Sequence, residues 1–137
     1  MVAVFLDITY YQKKFYYRKG GYPYYGGFWL GYETSTGKVQ AWVSNVYSDV
    51  LVTNNVLPLN VLNQICLKCD GTNLSIYING VIASSTKVIG VIPNVIKPVQ
   101  ISYTTGTEWI KGTFKAVRYY NRALTDAEIL QNYNASR

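Results

Sequence analysis

A chain of 137 residues fits one domain with its own core, because a domain of that size buries roughly two-thirds of the surface its unfolded chain exposes. Its apolar fraction of 49% is ordinary, and its apolar runs fall far short of the roughly 20 residues a bilayer-spanning helix needs, which argues against membrane insertion. Thirteen basic against seven acidic residues give a net charge of +6, and the lack of histidine excludes Ser-His-Asp and Cys-His catalytic arrangements.

Short segments rich in aromatic and β-branched residues, set apart by turn residues, predict an all-β antiparallel sandwich. The strands are expected at residues 2–8, 14–17, 27–33, 38–45, 50–53, 62–69, 74–79, 81–88, 99–103 and 113–120. Residues 16–25 read YYRKGGYPYY, whose glycines and proline mark a loop. Tyr22, Tyr24 and Tyr25 lie in it. Loop aromatics on a rigid sandwich are natural contact residues, and they suit equally well a role lying flat over the sandwich's open end. The densest positive cluster, Lys13, Lys14, Arg18 and Lys19, adjoins them. It suits sulfated or carboxylated glycans or a phosphate-bearing surface, and also a plain solvated strand end. No helix-turn-helix, RRM or KH pattern accompanies it, so nucleic acid is not an expected partner.

The next two strands form a hairpin whose register can be worked out. With a four-residue turn at 34–37, Glu33 faces Lys38, Gly31 faces Gln40 and Trp29 faces Trp42, while Tyr32–Val39, Leu30–Ala41 and Phe28–Val43 share the other face. The second face reads as core. The first carries two neighbouring indoles among Glu33, Lys38, Gln40 and Ser44, and three roles remain open for the pair: glycan contact, contact with another subunit or domain, and packing within the domain. Flat aromatic faces flanked by hydrogen-bonding groups match the apolar side of a sugar ring.

Cys66 and Cys69 lie three apart on one strand, so their side chains point to opposite faces and reduced, partly buried thiols are expected. A lone CxxC pair cannot supply the four ligands of a structural zinc site. Asp70 and Gly71 form a turn signal before the next strand. Near the C-terminus, Thr125 with Glu128 three residues on forms a capping box, and Leu124 with Ile129 has the spacing of a hydrophobic staple. A short helix ending near Tyr133 is expected. The sequons at 73–75 and 134–136 are treated as chance, because the N-terminus lacks a secretory leader pattern and reads as a mature or non-secreted chain.

Residues 112–124, GTFKAVRYYNRAL, followed by the capped helix, resemble the ending of laminin-G-like domains in the concanavalin A-like lectin/glucanase superfamily, and residues 63–81, NQICLKCDGTNLSIYINGV, resemble that family's hairpin. A weaker likeness runs over residues 12–37. The resemblance covers most of the chain and implies a concanavalin A-like jelly roll with one short C-terminal helix, spanning 1–137 as a single domain that lacks the usual first strand and so leaves a sheet edge to be covered. The family's Trp-His-His before the hairpin strand is replaced here by Leu62, Asn63 and Gln64.

Two functions follow from the resemblance. One is a non-catalytic, lectin-like module recognising a glycan or a surface protein, with Trp29, Trp42, Gln40, Tyr22, Tyr24 and Tyr25 as its contact residues. The other is a structural component of a virus particle, such as a phage decoration, fibre or tail protein, either as a homo-oligomer or beside another subunit. An extracellular or virion-surface location suits both. The superfamily's glycoside hydrolases place acids in an E-x-D-x-x-E strand, which is absent here, and Asp126 and Glu128 already serve helix initiation, so no enzyme is expected. Some laminin-G-like domains bind calcium. The nearest oxygen donors here, Asp49, Asp70 and Asn54, do not make up the six to eight that calcium takes, so no cofactor is expected.

Overall fold

The computed structural model describes residues 2–12, 16–19, 27–33, 36–43, 50–88, 99–101 and 111–137. Ten strands and one helix follow in chain order: β1 (Val2–Gln12), β2 (Tyr16–Lys19), β3 (Phe28–Glu33), β4 (Lys38–Val43), β5 (Leu51–Val56), β6 (Leu62–Cys69), β7 (Asn73–Ile78), β8 (Val81–Lys87), β9 (Val99–Ile101), β10 (Lys111–Tyr120) and α1 (Asp126–Ser136). They make two antiparallel five-stranded sheets, ordered β10-β1-β6-β7-β8 and β5-β4-β3-β2-β9. β1 is paired on both sides, by β10 and β6.

Alternation along the strands divides the buried residues into two layers. Phe28, Leu30, Val39 and Ala41 from the second sheet meet Ile65, Leu67, Leu74 and Ile76 from the first in the space between the sheets. The opposite face of the first sheet is also apolar, and Ala3, Phe5, Cys66 and Tyr77 are covered by Leu124 and Ile129 at the start of α1. Cys66 and Cys69 are both free and buried, Cys66 under the helix and Cys69 between the sheets, as their odd spacing requires.

Polar bonds hold α1 at both ends. At its start, Thr125 Oγ1 accepts from the Glu128 amide while the Glu128 carboxylate accepts from the Thr125 amide at 2.8 Å, completing the expected capping box. The Tyr77 hydroxyl donates to Asp126 Oδ1 at 2.6 Å, and Lys68 Nζ reaches the same oxygen at 3.0 Å. At the far end, Gln64 Nε2 donates both to Asp7 Oδ1 at 3.0 Å and to Ser136 Oγ at 3.1 Å. Arg118 Nη1 meets the other oxygen of Asp7, a residue only 1% exposed, at 2.7 Å.

Several element ends differ from expectation, each for a local reason. The helix continues to Ser136 instead of ending near Tyr133, because the Ser136 hydroxyl donates to the Tyr133 carbonyl and its backbone oxygen accepts from Lys115. β1 runs on to Gln12 because β10 begins early enough to pair with it, with irregularities at Asp7/Ile8 and Tyr10/Gln12 that keep the two in step. β5 extends to Val56 because Thr53, buried in a bulge of the β4–β5 ladder, accepts from the Val39 amide and donates to the Asn55 carbonyl. Expected strand residues 14–15, 44–45 and 102–103 lie outside the described residues.

Two predictions follow. Arg118→Met leaves the buried Asp7 carboxylate without its cation and is expected to cost about 3 kcal/mol, read as a lower urea midpoint at unchanged slope. The Arg122 guanidinium, and after it the Thr125 amide, bring the Glu128 carboxyl from its usual 4.5 down to about 2. A carboxyl with a lower pKa folded than unfolded adds stability that is complete above 4.5 and lost as pH falls towards about 2. Amide shifts of residues 125–128 should report fraying of the helix start across that window, and Glu128→Gln should abolish this pH dependence.

Candidate functional site

The β3–β4 hairpin has the register its sequence predicts: Phe28↔Val43, Trp29↔Trp42, Leu30↔Ala41, Gly31↔Gln40, Tyr32↔Val39 and Glu33↔Lys38. Gly37, at φ +73°, closes the turn by donating its amide to the Glu33 carbonyl at 2.8 Å. Only glycine suits this position, since a Cβ here would stand 2.7 Å from Val56. One hairpin face is wholly buried, whereas Trp29, Trp42, Gln40, Glu33 and Lys38 on the other are half-buried. Alternation alone therefore delivers both indoles to the outer side of the second sheet.

The neighbouring strands extend this face. β2 sets Arg18 opposite Trp29 and Tyr16 opposite Gly31, while β9 sets Gln100 opposite Arg18. On the other side, β5 places Val52 beside Gln40. Positions Trp42, Trp29, Arg18 and Gln100 thus form one row across four strands. Gly31 carries no side chain, and the Gln40 amide, directly opposite it, donates diagonally to Glu33 Oε2 at 3.3 Å. The result is a sheet surface bearing two flat indoles with an amide, a carboxylate and an ammonium group alongside, which can stack on an apolar ring face and hydrogen-bond around its rim.

Other residues expected at the site are distributed differently. Lys19 pairs with Phe28, a core position, and Arg18 with Trp29, so the two described residues of the basic cluster occupy alternate register classes. Lys13, Lys14, Tyr22, Tyr24, Tyr25 and Asp49 lie outside the described residues. Asp70 belongs to the first sheet's β6–β7 turn, where its Oδ1 accepts from the amides of Thr72 at 2.9 Å and Asn73 at 2.7 Å. Partial burial works to raise its pKa, but these amides together with Lys68 outweigh it and hold the carboxyl below its usual range. Among the described residues no three His, Cys, Asp or Glu side chains converge as a metal site would require.

The sequence reading missed the Lys68–Tyr77–Asp126 cluster beneath the start of α1. Burial, followed by the hydrogen bond to Asp126, pushes the Tyr77 phenol up to about 12. Strand alternation placed Lys68 and Tyr77 on the helix-covered face, but nothing in one dimension brings Asp126 to them.

The outer-face indoles and the core leucine beneath them differ in energetic role. A directly opposed aromatic pair contributes about 0.2–1 kcal/mol, so the Trp29→Ala/Trp42→Ala double-mutant cycle should show a coupling in that range. Leu30→Ala, at a fully buried position, should cost about 2–5 kcal/mol. Chemical denaturation of the four variants measures both.

Comparison with known proteins agrees with this architecture. A family profile described as the concanavalin A-like lectin/glucanases superfamily, of laminin-G type, matches residues 7–130. No curated protein sequence matches. Among solved structures, the carbohydrate-binding module CBM40 of the Ruminococcus gnavus IT-sialidase, bound to α2,3-sialyllactose, superposes with a TM-score of 0.71 at 17% identity, covering 96% of this chain and 80% of that one. Domain 4 of the Geobacillus stearothermophilus arabinanase AbnA, in complex with arabinotriose, gives 0.70 at 15% identity, covering 95% and 65%. Trypanosoma rangeli sialidase gives 0.70 at 16% identity over 96% of this chain, which spans only 22% of that enzyme. At these identities the likeness is one of fold. With the family profile matching residues 7–130 of its 137, the chain belongs to the laminin-G-like family of the concanavalin A-like lectin/glucanases superfamily.

Proposed function

We propose that the protein is a non-catalytic, lectin-like module that binds carbohydrate on the outer face of the β5-β4-β3-β2-β9 sheet, through Trp29 and Trp42, with Gln40 hydrogen-bonding at the ring edge. The observation that carries the reading is the placement of Trp29 opposite Trp42 on the outer face, in a register whose other face is entirely core. Two half-buried indoles on a rigid sheet offer broad apolar contact at low ordering cost. Fold relatives with bound sialyllactose and arabinotriose support a glycan as the ligand class. Glycans of this kind are displayed outside the cell, and that is where we place the module's work.

The non-catalytic part of the reading is supported by how the acidic groups are used. Glycoside hydrolysis needs two carboxyl groups flanking the scissile bond. Glu33 lies on the proposed face beside Gln40, whereas Asp7, Asp126 and Glu128 are engaged in holding the helix. Among the described residues, no second carboxylate stands beside Glu33 on that face.

A glycan array probed with the intact protein, followed by calorimetry on the best ligand, tests the proposal. Trp29→Ala and Trp42→Ala should each weaken binding on the order of tenfold or more with the thermal midpoint nearly unchanged. Undiminished binding in the double variant would overturn the assignment of this face.

A further inference from the structure

We propose that Asn79–Gly80 is a deamidation site that the native fold keeps silent and that local opening of the β7–β8 turn beneath α1 releases. This is the chain's only Asn-Gly pair, the dipeptide in which the following backbone nitrogen is least hindered. It forms the entire two-residue loop between the paired Ile78 and Val81. Both residues have positive φ, 54° at Asn79 and 79° at Gly80, the pattern of a type I′ turn.

The reaction is intramolecular. The Gly80 nitrogen attacks Asn79 Cγ, a new N–C bond forms, and the side-chain nitrogen departs as ammonia with the displaced proton, leaving a succinimide. Water then opens the ring at one carbonyl to give aspartate or at the other to give isoaspartate. To reach that geometry the Asn79 amide must swing towards Gly80.

In the folded protein it is held away. Asn79 Oδ1 accepts from the Gln64 amide at 2.9 Å, and Asn79 Nδ2 donates to Asn63 Oδ1 at 3.2 Å. Asn63 is fully buried and is itself fixed through its Nδ2 to the carbonyls of Pro58 and Val61. The Asn79 backbone N–H also donates to the Gln64 backbone carbonyl at 2.8 Å, so three bonds tie this residue to the start of β6. From the other side the helix closes over Gly80: a Cβ there would lie 2.9 Å from Leu130 Cδ1 and 3.2 Å from Tyr133 Cδ1. The turn therefore has little room to distort while α1 is docked.

Once formed, the product does not fit. Isoaspartate adds a backbone atom to a two-residue turn and drives Gly80 towards Leu130 and Tyr133. Both products lose the Nδ2 donor to Asn63 Oδ1, and aspartate sets a carboxylate oxygen in its place. Each molecule that opens thus risks an irreversible change that hinders its reclosing, and the modification records opening events.

The test incubates the intact protein at mildly alkaline pH, natively and in urea, beside a synthetic peptide of residues 77–81, and follows Asn79 by peptide mass spectrometry. Native deamidation should be on the order of tenfold or more slower than in urea or in the peptide. Equal rates would overturn the proposal. Asn79→Asp should lower the urea midpoint, and an unchanged midpoint would equally count against it. If that variant fails to fold, the wild-type rates still decide.

Discussion

A strand presents its side chains to two faces in strict alternation, and in the β3–β4 hairpin that rule ties the core to the surface. Leu30 and Ala41 can be buried only if Trp29 and Trp42 face outward, because a slip of one residue would exchange the two sets. The apolar face, packed against Ile65, Leu67 and Ile76, makes such a slip costly. The proposed sugar-binding surface therefore needs no interaction of its own to hold it in place. It is held by the burial of its opposite face, and this separates ligand contact from stability.

The first sheet poses the reverse problem, since both its faces are apolar. One is filled by the facing sheet and the other by α1 and the residue before its cap, with Ile129 and Leu124 over Phe5, Cys66 and Tyr77. Phe5 and Tyr120 meet edge to face at 5.7 Å on this side, a favourable arrangement for aromatic quadrupoles. Apolar contact by itself does not specify the helix's position along the sheet. The polar groups at its ends do: Tyr77 and Lys68 on Asp126, and Gln64 and Lys115 on Ser136. Buried charges such as Asp7 are poor sources of net stability but strong determinants of geometry, because a mispositioned partner leaves a desolvated carboxylate unpaired.

Residues 62–64 show how a departure from the family pattern is absorbed. Where the family often has Trp-His-His, this chain has Leu62, Asn63 and Gln64, and the two amides are not surface filler. Asn63 braces the β7–β8 turn through Asn79, and Gln64 links Asp7 to the helix end. Amides can donate and accept at once without titrating, so the Asn63–Asn79 and Gln64–Ser136 bonds keep their strength across the pH range in which the Glu128 carboxylate loses its charge.

Much of the architecture was legible in one dimension. Alternation located the strands and the β3–β4 register, the Thr125–Glu128 spacing named the helix start, and the odd spacing of Cys66 and Cys69 separated the two thiols, all because these features depend on local geometry with periods of two or three to four residues. Element ends were less legible, since Ser136 and Val56 are held in regular structure by partners distant in the chain. Likewise, no local rule joins Asp126 to Lys68 and Tyr77, or Arg118 to Asp7. These pairings arise only when sheets stack and strands far apart in sequence become neighbours, because side-chain chemistry acts over a few ångströms of space whatever the separation along the chain.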